Sequence, residues 1–213
     1  MLKTFFKIFF TVCFFIFFIS CKKSEITFTS NQTSFEISEI QSGSGVFLYP
    51  IRDVEIEIYY YVPNNYNNES KIFFAMHGGG RDAEEMRNSM ISSANQYNQI
   101  IIAPKIDAVN FSLGDQYILG NVYEDGDNPS EETLNDEDNW TFSLIEPLFD
   151  SVNTSLNLTN EEYNIIGYSA GAQFVQRFIL FKPLARFSKA IVAAPGWYTV
   201  IDTNIDFPYG YAN

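Results

Sequence analysis

Four short, almost continuously apolar runs separated by segments with helical spacing constrain the fold of this chain more than any other feature. They are KIFFAM at 71–76, IIIA at 100–103, YNII at 163–166 and KAIVAA at 189–194. Such runs are typical of strands buried on both faces of a parallel sheet. Ahead of them, DVEIEIYYYV at 53–62 alternates apolar and polar residues, which predicts a half-buried strand.

Helical patterns fill the intervals between the apolar runs. Apolar residues recur at three- and four-residue spacing over 83–97, and Asp82 stands where an N-cap is expected. A second helix is predicted over 138–152, with a kink at Pro147, and a third over 172–181. Strand and helix thus alternate, which predicts a three-layer α/β domain: a mostly parallel central sheet with helices on both faces.

Composition limits the classes of function. The 213 residues are 46% hydrophobic and 17% aromatic, enough for one globular domain with a sizeable core. The formal net charge of −13 argues against a nucleic-acid partner and against a polyanionic ligand, because both require a basic surface that binds their negative charges.

The first twenty residues form a separate unit. Lys3 and Lys7 precede an apolar run that is too short to span a bilayer comfortably, which is typical of a signal peptide. The run ends in Phe18-Ile19-Ser20-Cys21, which resembles a bacterial lipoprotein cleavage site. Cys21 is then the lipid attachment site, and the protein is expected in the cell envelope. An uncleaved membrane anchor is the alternative.

The resulting domain organisation has three parts. Residues 1–20 are the signal peptide, 21–45 a tether with an N-terminal edge segment, and 46–213 a partial α/β domain. The second cysteine, Cys13, lies in the removed segment, so no disulfide is expected.

The stretch YNIIGYSAGAQ places a serine between two glycines at the end of an apolar run. Ser169 follows the predicted strand and precedes the predicted helix, which is the context of a nucleophile elbow. Gly167 and Gly171 suit a sharp turn in which a larger side chain would collide with neighbouring backbone. A chance serine between small residues is the alternative interpretation of this motif.

A second glycine-rich turn follows the run at 71–76. The sequence His77-Gly78-Gly79-Gly80 lies between a strand and a helix, where backbone N–H groups could approach a substrate. With the N–H of Ala170, these groups could form an oxyanion hole. The alternative is an ordinary glycine-rich turn.

Taken together, these motifs resemble the α/β-hydrolase fold, and in particular bacterial secreted or lipoprotein hydrolases of the esterase and polyhydroxyalkanoate-depolymerase kind. The resemblance is carried by HGGGRDAEEM, LGNVYEDGDNP, NWTFSLIEPLFDSV, GYSAGAQFVQRFILFKP and APGWYTVIDTNIDFPYG. It implies that Ser169 is the nucleophile, that Ala170 and Gly78 or Gly79 donate to the oxyanion, and that a small-molecule or polymeric ester is hydrolysed. No cofactor and no metal are implied.

The sequence departs from that family in its acid and base. The family orders its triad Ser, acid, His, but the only histidine here is His77, which lies upstream in the glycine motif. After the serine the carboxylates are Asp202 and Asp206 alone. We therefore expect a fragment that lacks the histidine and acid of the triad. The alternative is a non-catalytic lipoprotein that uses the fold as a binding scaffold.

Two further features are an acidic segment and a group of aromatic residues near the end of the sequence. The acidic segment at 123–138 lacks the spacing of an EF-hand and is expected to be a solvated loop. The aromatic residues Trp197, Tyr198 and Tyr209 follow the last apolar run and line either a substrate pocket or a packed lid.

Overall fold

The computed structural model describes residue 37 and residues 40–212. The strands are β1 (Gly43–Ile51), β2 (Val54–Val62), β3 (Lys71–Met76), β4 (Gln99–Pro104), β5 (Tyr163–Tyr168) and β6 (Phe187–Ala193). The helices are α1 (Ala83–Ser89), α2 (Ile91–Tyr97), α3 (Ile145–Ser155) and α4 (Ala170–Phe181), with a π-helix at Leu113–Ile118 and 3₁₀ turns at Glu131–Thr133, Glu137–Asn139 and Thr141–Leu144.

The predicted leader and Cys21 lie outside the described residues. Within the part of the chain that the structure does describe, none of the helices has the length and apolar character needed to cross a bilayer.

The six strands form one mixed sheet in the order β1-β2-β4-β3-β5-β6. β1 and β2 run antiparallel to their neighbours, whereas β4, β3, β5 and β6 are mutually parallel. The predicted three-layer α/β fold is confirmed, and each of the five predicted strands overlaps an observed strand, although 53–62 begins one residue before β2 and 189–194 ends one residue after β6. The parallel strands all end at one edge of the sheet, where open α/β folds bind ligands.

Helices cover both faces of the sheet. Successive side chains of β3 point to opposite faces of the sheet. Phe74 and Met76 pack in the large core with α3 and α4, while Ala75 packs with Ala83 and Ala94 of α1 and α2. The small alanines on the second side let α1 and α2 lie close to the strands. This packing places the first residues of α1 and α4 at the carboxyl ends of the adjacent strands β3 and β5.

Two helix predictions were wrong in their bounds. The single helix predicted over 83–97 is broken at Met90, which ends α1 and begins α2. The helix predicted over 138–152 begins at Ile145, after short 3₁₀ turns. Pro147 therefore lies in the first turn of α3, where its missing N–H has no intrahelical partner to lose, so it produces no kink of the predicted kind.

The last strand is covered on one side only. Val192 packs against the large core, but Ile191, which points to the opposite face, is 45% exposed. Its partner across the ladder is Ile166, and Tyr168 on the same face is 56% exposed. Among the described strands only β5 pairs with β6, so the outer edge of β6 is unpaired there.

Candidate active site

Two strand-to-helix turns meet at the carboxyl edge of the sheet. Residues 77–80, here called the glycine loop, connect β3 toward α1. Residues 167–171, here called the serine turn, connect β5 to α4. Because β3 and β5 are adjacent and parallel, with Met76 opposite Gly167, the two turns lie side by side.

Ser169 has a backbone conformation that few L-residues adopt. Its φ of +53° and ψ of −112° lie outside the helix and strand regions, as the elbow interpretation predicts. Its N–H donates to the carbonyl of Ala193 (3.0 Å) and its carbonyl accepts from the N–H of Gln173 (3.2 Å). Both bonds hold the residue in a conformation that costs about 1–3 kcal/mol.

The two glycines of the serine turn are required by close packing. A Cβ on Gly167 would lie 2.0 Å from the carbonyl oxygen of Gly171, and a Cβ on Gly171 would lie 2.2 Å from that of Met76. Neither clash can be relieved by rotating a side chain, because the contacted atoms are backbone. Without side chains, α4 packs directly against the end of β3 and brings Ser169 next to the glycine loop.

The glycine loop approaches the serine closely. A Cβ built on Gly78 would lie 3.7 Å from the Cβ of Ser169, whereas one on Gly79 would meet Leu113 at 3.9 Å. No turn, loop or cap hydrogen bond among the described residues is donated by the N–H of Gly78, Gly79 or Ala170. The three donors that the sequence interpretation selects are therefore free to bind a ligand.

His77 is built into the loop and is buried, with only 1% of its surface exposed. Its Nε2 accepts from the N–H of Ile106 (3.1 Å), so in the neutral ring the proton is on Nδ1, which donates to the carbonyl of Gly78 (2.9 Å). Burial lowers the pKa of His77 to about 4, outweighing the hydrogen bond to Gly78, and Arg81 lowers it further. Both ring nitrogens are engaged, so His77 has no lone pair free to act as a base.

Two residues that hold the glycine loop were missed at the sequence level. The hydroxyl of Tyr117 donates to the carbonyl of His77 (2.6 Å), and the phenol ring is fully buried beside the His77 ring (centroids 4.8 Å apart). Arg81 donates to the carbonyls of Ile106 and, at 3.0 Å, Phe111. A tyrosine and an arginine in aperiodic segments give no local signal; only the tertiary contacts show their role.

An open cleft lies beside the serine turn. Its volume is about 470 Å³, and Gly78 and Tyr168, which flank the serine in space, form part of its wall. The wall is mostly apolar, with Met86 and Ile166 contributing, and it includes the carboxylate-bearing residue Glu85. None of the described residues that line it is basic.

The segment after β6 packs on α4. Arg177 is fully buried with its guanidinium carbon 3.9 Å from the centroid of the Trp197 ring, and burial lowers its pKa to about 10. Trp197 thus belongs to a packed layer, while Tyr198 and Tyr209 are 52% and 59% exposed. The segment is held to α4 by packing at Trp197 and by the buried Phe207, whose ring lies 5.9 Å from that of Phe181, while Tyr198 and Tyr209 are about half exposed.

The two aspartates of that segment, Asp202 and Asp206, make local hydrogen bonds. The side chain of Asp202 accepts from the backbone and side-chain N–H groups of Asn204 (2.8 and 2.9 Å). The backbone carbonyl of Asp206 accepts from Tyr209 and Gly210. No hydrogen bond in the described part of the chain joins either residue to His77 or Ser169. The structure does not assemble a triad from these groups.

The sequence and the structure were compared with those of known proteins. No protein-family model and no curated protein sequence matches the chain. Among solved structures, poly(aspartic acid) hydrolase-1 from Sphingomonas sp. KT-1 is similar, with 33% identity, a TM-score of 0.73 and coverage of 81% of this chain and 64% of that protein. LpqC, a poly(3-hydroxybutyrate) depolymerase from Bordetella parapertussis, has 26% identity, a TM-score of 0.71 and coverage of 80% and 58%.

A more distant structure, acetyl xylan esterase from Aspergillus awamori, has 16% identity and a TM-score of 0.52, and the match covers 70% of this chain and 53% of the esterase, which supports the fold alone. The chain spans less than two thirds of the length of each of these proteins. The sheet order, the strand-to-helix turns and these similarities show that the chain has the α/β-hydrolase fold and resembles esterases and depolymerases of that fold.

Proposed function

We propose that this chain forms part of a serine hydrolase that cleaves carboxylic esters, with Ser169 as its nucleophile. In this reaction Oγ attacks the acyl carbon, the ester C–O bond breaks, and the alcohol leaves with a proton. Water then attacks the acyl-serine ester and releases the acid, which restores the hydroxyl. The N–H of Ala170 and an N–H of the glycine loop would stabilise the negative charge on the acyl oxygen.

The strained Ser169 backbone beside unpaired N–H groups is the observation that carries this proposal. A structural serine at a helix start would adopt an extended N-cap conformation and bond to the helix. Here φ is +53° and the side chain makes no cap hydrogen bond. Such strain persists where the surroundings impose it, and it accumulates at functional sites.

The cleft supports a neutral ester as substrate. Asp82 and Glu85 both lie in its wall, and the chain carries a net charge of −13. A substrate with its own carboxylates would be repelled there. Although one similar structure is named as a hydrolase of poly(aspartic acid), we propose an uncharged ester for this chain.

The general base and its acid partner are the second half of the proposal. His77 is the only histidine of the sequence, and both of its nitrogens are already hydrogen-bonded. We therefore place the base and acid on polypeptide that is not part of this sequence, which agrees with the expectation of a fragment. In this proposal the chain supplies the nucleophile and the oxyanion groups, and the group that takes the serine proton comes from elsewhere.

Labelling with a fluorophosphonate tests the nucleophile directly. In that reaction Oγ forms a bond to phosphorus and fluoride leaves, so the product is stable and can be mapped by mass spectrometry. With imidazole present as an added base, we expect label on the Ser169 peptide well before any other serine peptide, because the oxyanion donors assist attack by that serine alone. Ser188→Ala, an exposed position on β6, should label as the unmodified chain does, and Ser169→Ala should not.

Equal labelling of Ser169 and Ser188 would contradict the proposal and favour the binding-scaffold alternative. Added imidazole supplies a base and sharpens the test. Hydrolysis of p-nitrophenyl acetate by the chain, corrected for the Ser169→Ala variant at each imidazole concentration, should rise with the neutral fraction of imidazole.

We also propose that the mature protein is anchored in the bacterial cell envelope through a lipid on Cys21. The support is the Phe18-Ile19-Ser20-Cys21 junction after an apolar leader. Mass spectrometry of the N-terminal peptide from a bacterial host should show acylated Cys21. An unmodified Met1 or Lys22 terminus would contradict this.

A further inference from the structure

The peptide unit between His77 and Gly78 is held by a hydrogen bond to its carbonyl oxygen, on the side opposite its N–H. Its carbonyl accepts the Tyr117 hydroxyl at 2.6 Å, and its N–H belongs to Gly78, whose position lies next to Ser169. In a planar trans peptide the C=O and the N–H point in opposite directions. Fixing the carbonyl on Tyr117 therefore fixes the direction of the Gly78 N–H.

Tyr117 is itself immobilised. It lies in the π-helix Leu113–Ile118, and π-helical turns are frequently found at functional sites. Its ring packs between His77 (4.8 Å) and Phe174 of α4 (5.5 Å), with the Arg81 guanidinium 4.9 Å above it. The ring thus contacts both the glycine loop and the helix that begins after Ser169.

The phenol remains a donor under all working conditions. Burial raises the pKa of Tyr117 far above its ordinary value, so the hydroxyl keeps its proton. A hydrogen bond accepted by a carbonyl also polarises its peptide, which strengthens the N–H of the same unit as a donor. Tyr117 therefore acts on both the direction and the strength of the Gly78 N–H.

We propose that Tyr117 is a positioning residue that aims the Gly78 N–H into the oxyanion site, and that Gly78 rather than Gly79 is the loop's oxyanion donor. This inference rests on the proposed function of Ser169. It selects Gly78 because that residue lies beside the serine, whereas the nearest atom to a Cβ on Gly79 belongs to Leu113.

The test compares Tyr117→Phe with Tyr163→Phe in the full chain. Tyr163 is a matched control because it is also fully buried and also donates one short hydrogen bond, to Glu146 (2.6 Å), but at the opposite end of β5. We expect fluorophosphonate labelling of Ser169 to slow by about 10-fold to 100-fold in Tyr117→Phe and to be unchanged in Tyr163→Phe. In ¹⁵N NMR spectra the Gly78 amide should move in Tyr117→Phe and not in the control.

Each outcome decides a separate point. Labelling of Tyr117→Phe at the rate of the unmodified chain, or equal slowing in both variants, overturns the positioning role. Failure of the unmodified chain to label at Ser169 even with added imidazole overturns the proposed function, while the NMR comparison still tests the hydrogen bond from Tyr117 to the His77 carbonyl. If Tyr117→Phe does not fold, the hydrogen bond is tested in the unmodified chain by replacing the Tyr117 hydroxyl proton with deuterium. The ¹³C chemical shift of the His77 carbonyl must then change, and an unchanged shift overturns the inference.

Discussion

The glycine loop and the serine turn lie side by side at the same sheet edge, yet different interactions hold them in place. The serine turn is fixed by backbone contacts: Gly167 and Gly171 leave no room for a Cβ, and Ser169 is strained. The glycine loop has open space at Gly80 and ordinary contacts at Gly78, and side chains anchor its carbonyls. Ser169 is therefore positioned by packing, whereas the glycine loop is positioned by hydrogen bonds that single substitutions can remove.

The largest expected effect is at Gly171. In a helix Ala normally stabilises relative to Gly by about 1 kcal/mol, but here the new Cβ would lie 2.2 Å from the Met76 carbonyl oxygen. We expect Gly171→Ala to lower the free energy of unfolding by more than about 3 kcal/mol, because backbone must move. Urea denaturation measures this, and a stability equal to that of the parent chain would contradict packing as the cause.

The next effect concerns His77 and pH. Its pKa falls from 6.5 in the unfolded chain to about 4 in the fold, so the unfolded state binds more protons between these values. The stabilisation is present above pH 6.5 and is lost as pH falls toward 4, by about 3 kcal/mol in total. His77→Gln keeps an acceptor for the Ile106 N–H but does not titrate, so its unfolding free energy should change less over this window; superimposable pH profiles would refute the assignment.

A smaller effect of opposite sign is expected at Ser169. Glycine adopts positive φ without strain, so Ser169→Gly should raise the free energy of unfolding by about 1 kcal/mol while abolishing fluorophosphonate labelling. Ser188→Gly on β6 is the control and should be destabilising or neutral. If Ser169→Gly destabilises the chain, the strain assigned to φ +53° is absent.

The smallest expected change is at Gly79. A Cβ there meets only Leu113 at 3.9 Å, so Gly79→Ala should leave stability within about 0.5 kcal/mol of the parent. Labelling of Ser169 should also persist, since alanine keeps the backbone N–H and its Cβ would contact Leu113 rather than Ser169. Thermal unfolding measures the stability and a labelling time course measures the reactivity of Ser169, and a large loss of stability would contradict the open space assigned to Gly79.

Much of this architecture was predictable from sequence because burial on both faces leaves a compositional signal. The parallel strands are continuous apolar runs, and KIFFAM at 71–76 is β3 in full. β1 was not identified, because a half-exposed edge strand with Val46 and Leu48 about half exposed carries a weaker pattern. The break at Met90 and the late start of α3 depend on tertiary packing, which periodicity does not contain.

For the candidate site, the sequence identified the residues on the turns but not those that hold them. Glycines around Ser169 and after His77 are local motifs with a local geometric reason. Tyr117 lies forty positions from the carbonyl it binds, in a segment without periodicity. Arg177 lies in a helix predicted from its apolar character, and its place under Trp197 follows from contacts across the fold.

The outer edge of β6, which no other described strand covers, affects whether copies of this chain associate. An exposed strand edge with an apolar side chain such as Ile191 is a template for another strand. The net charge of −13 opposes such contact by keeping molecules apart. Since the range of that repulsion shrinks from about 10 Å at 0.1 M ionic strength to about 3 Å at 1 M, added salt should promote association, and dilute low-salt buffer should keep the chains dispersed.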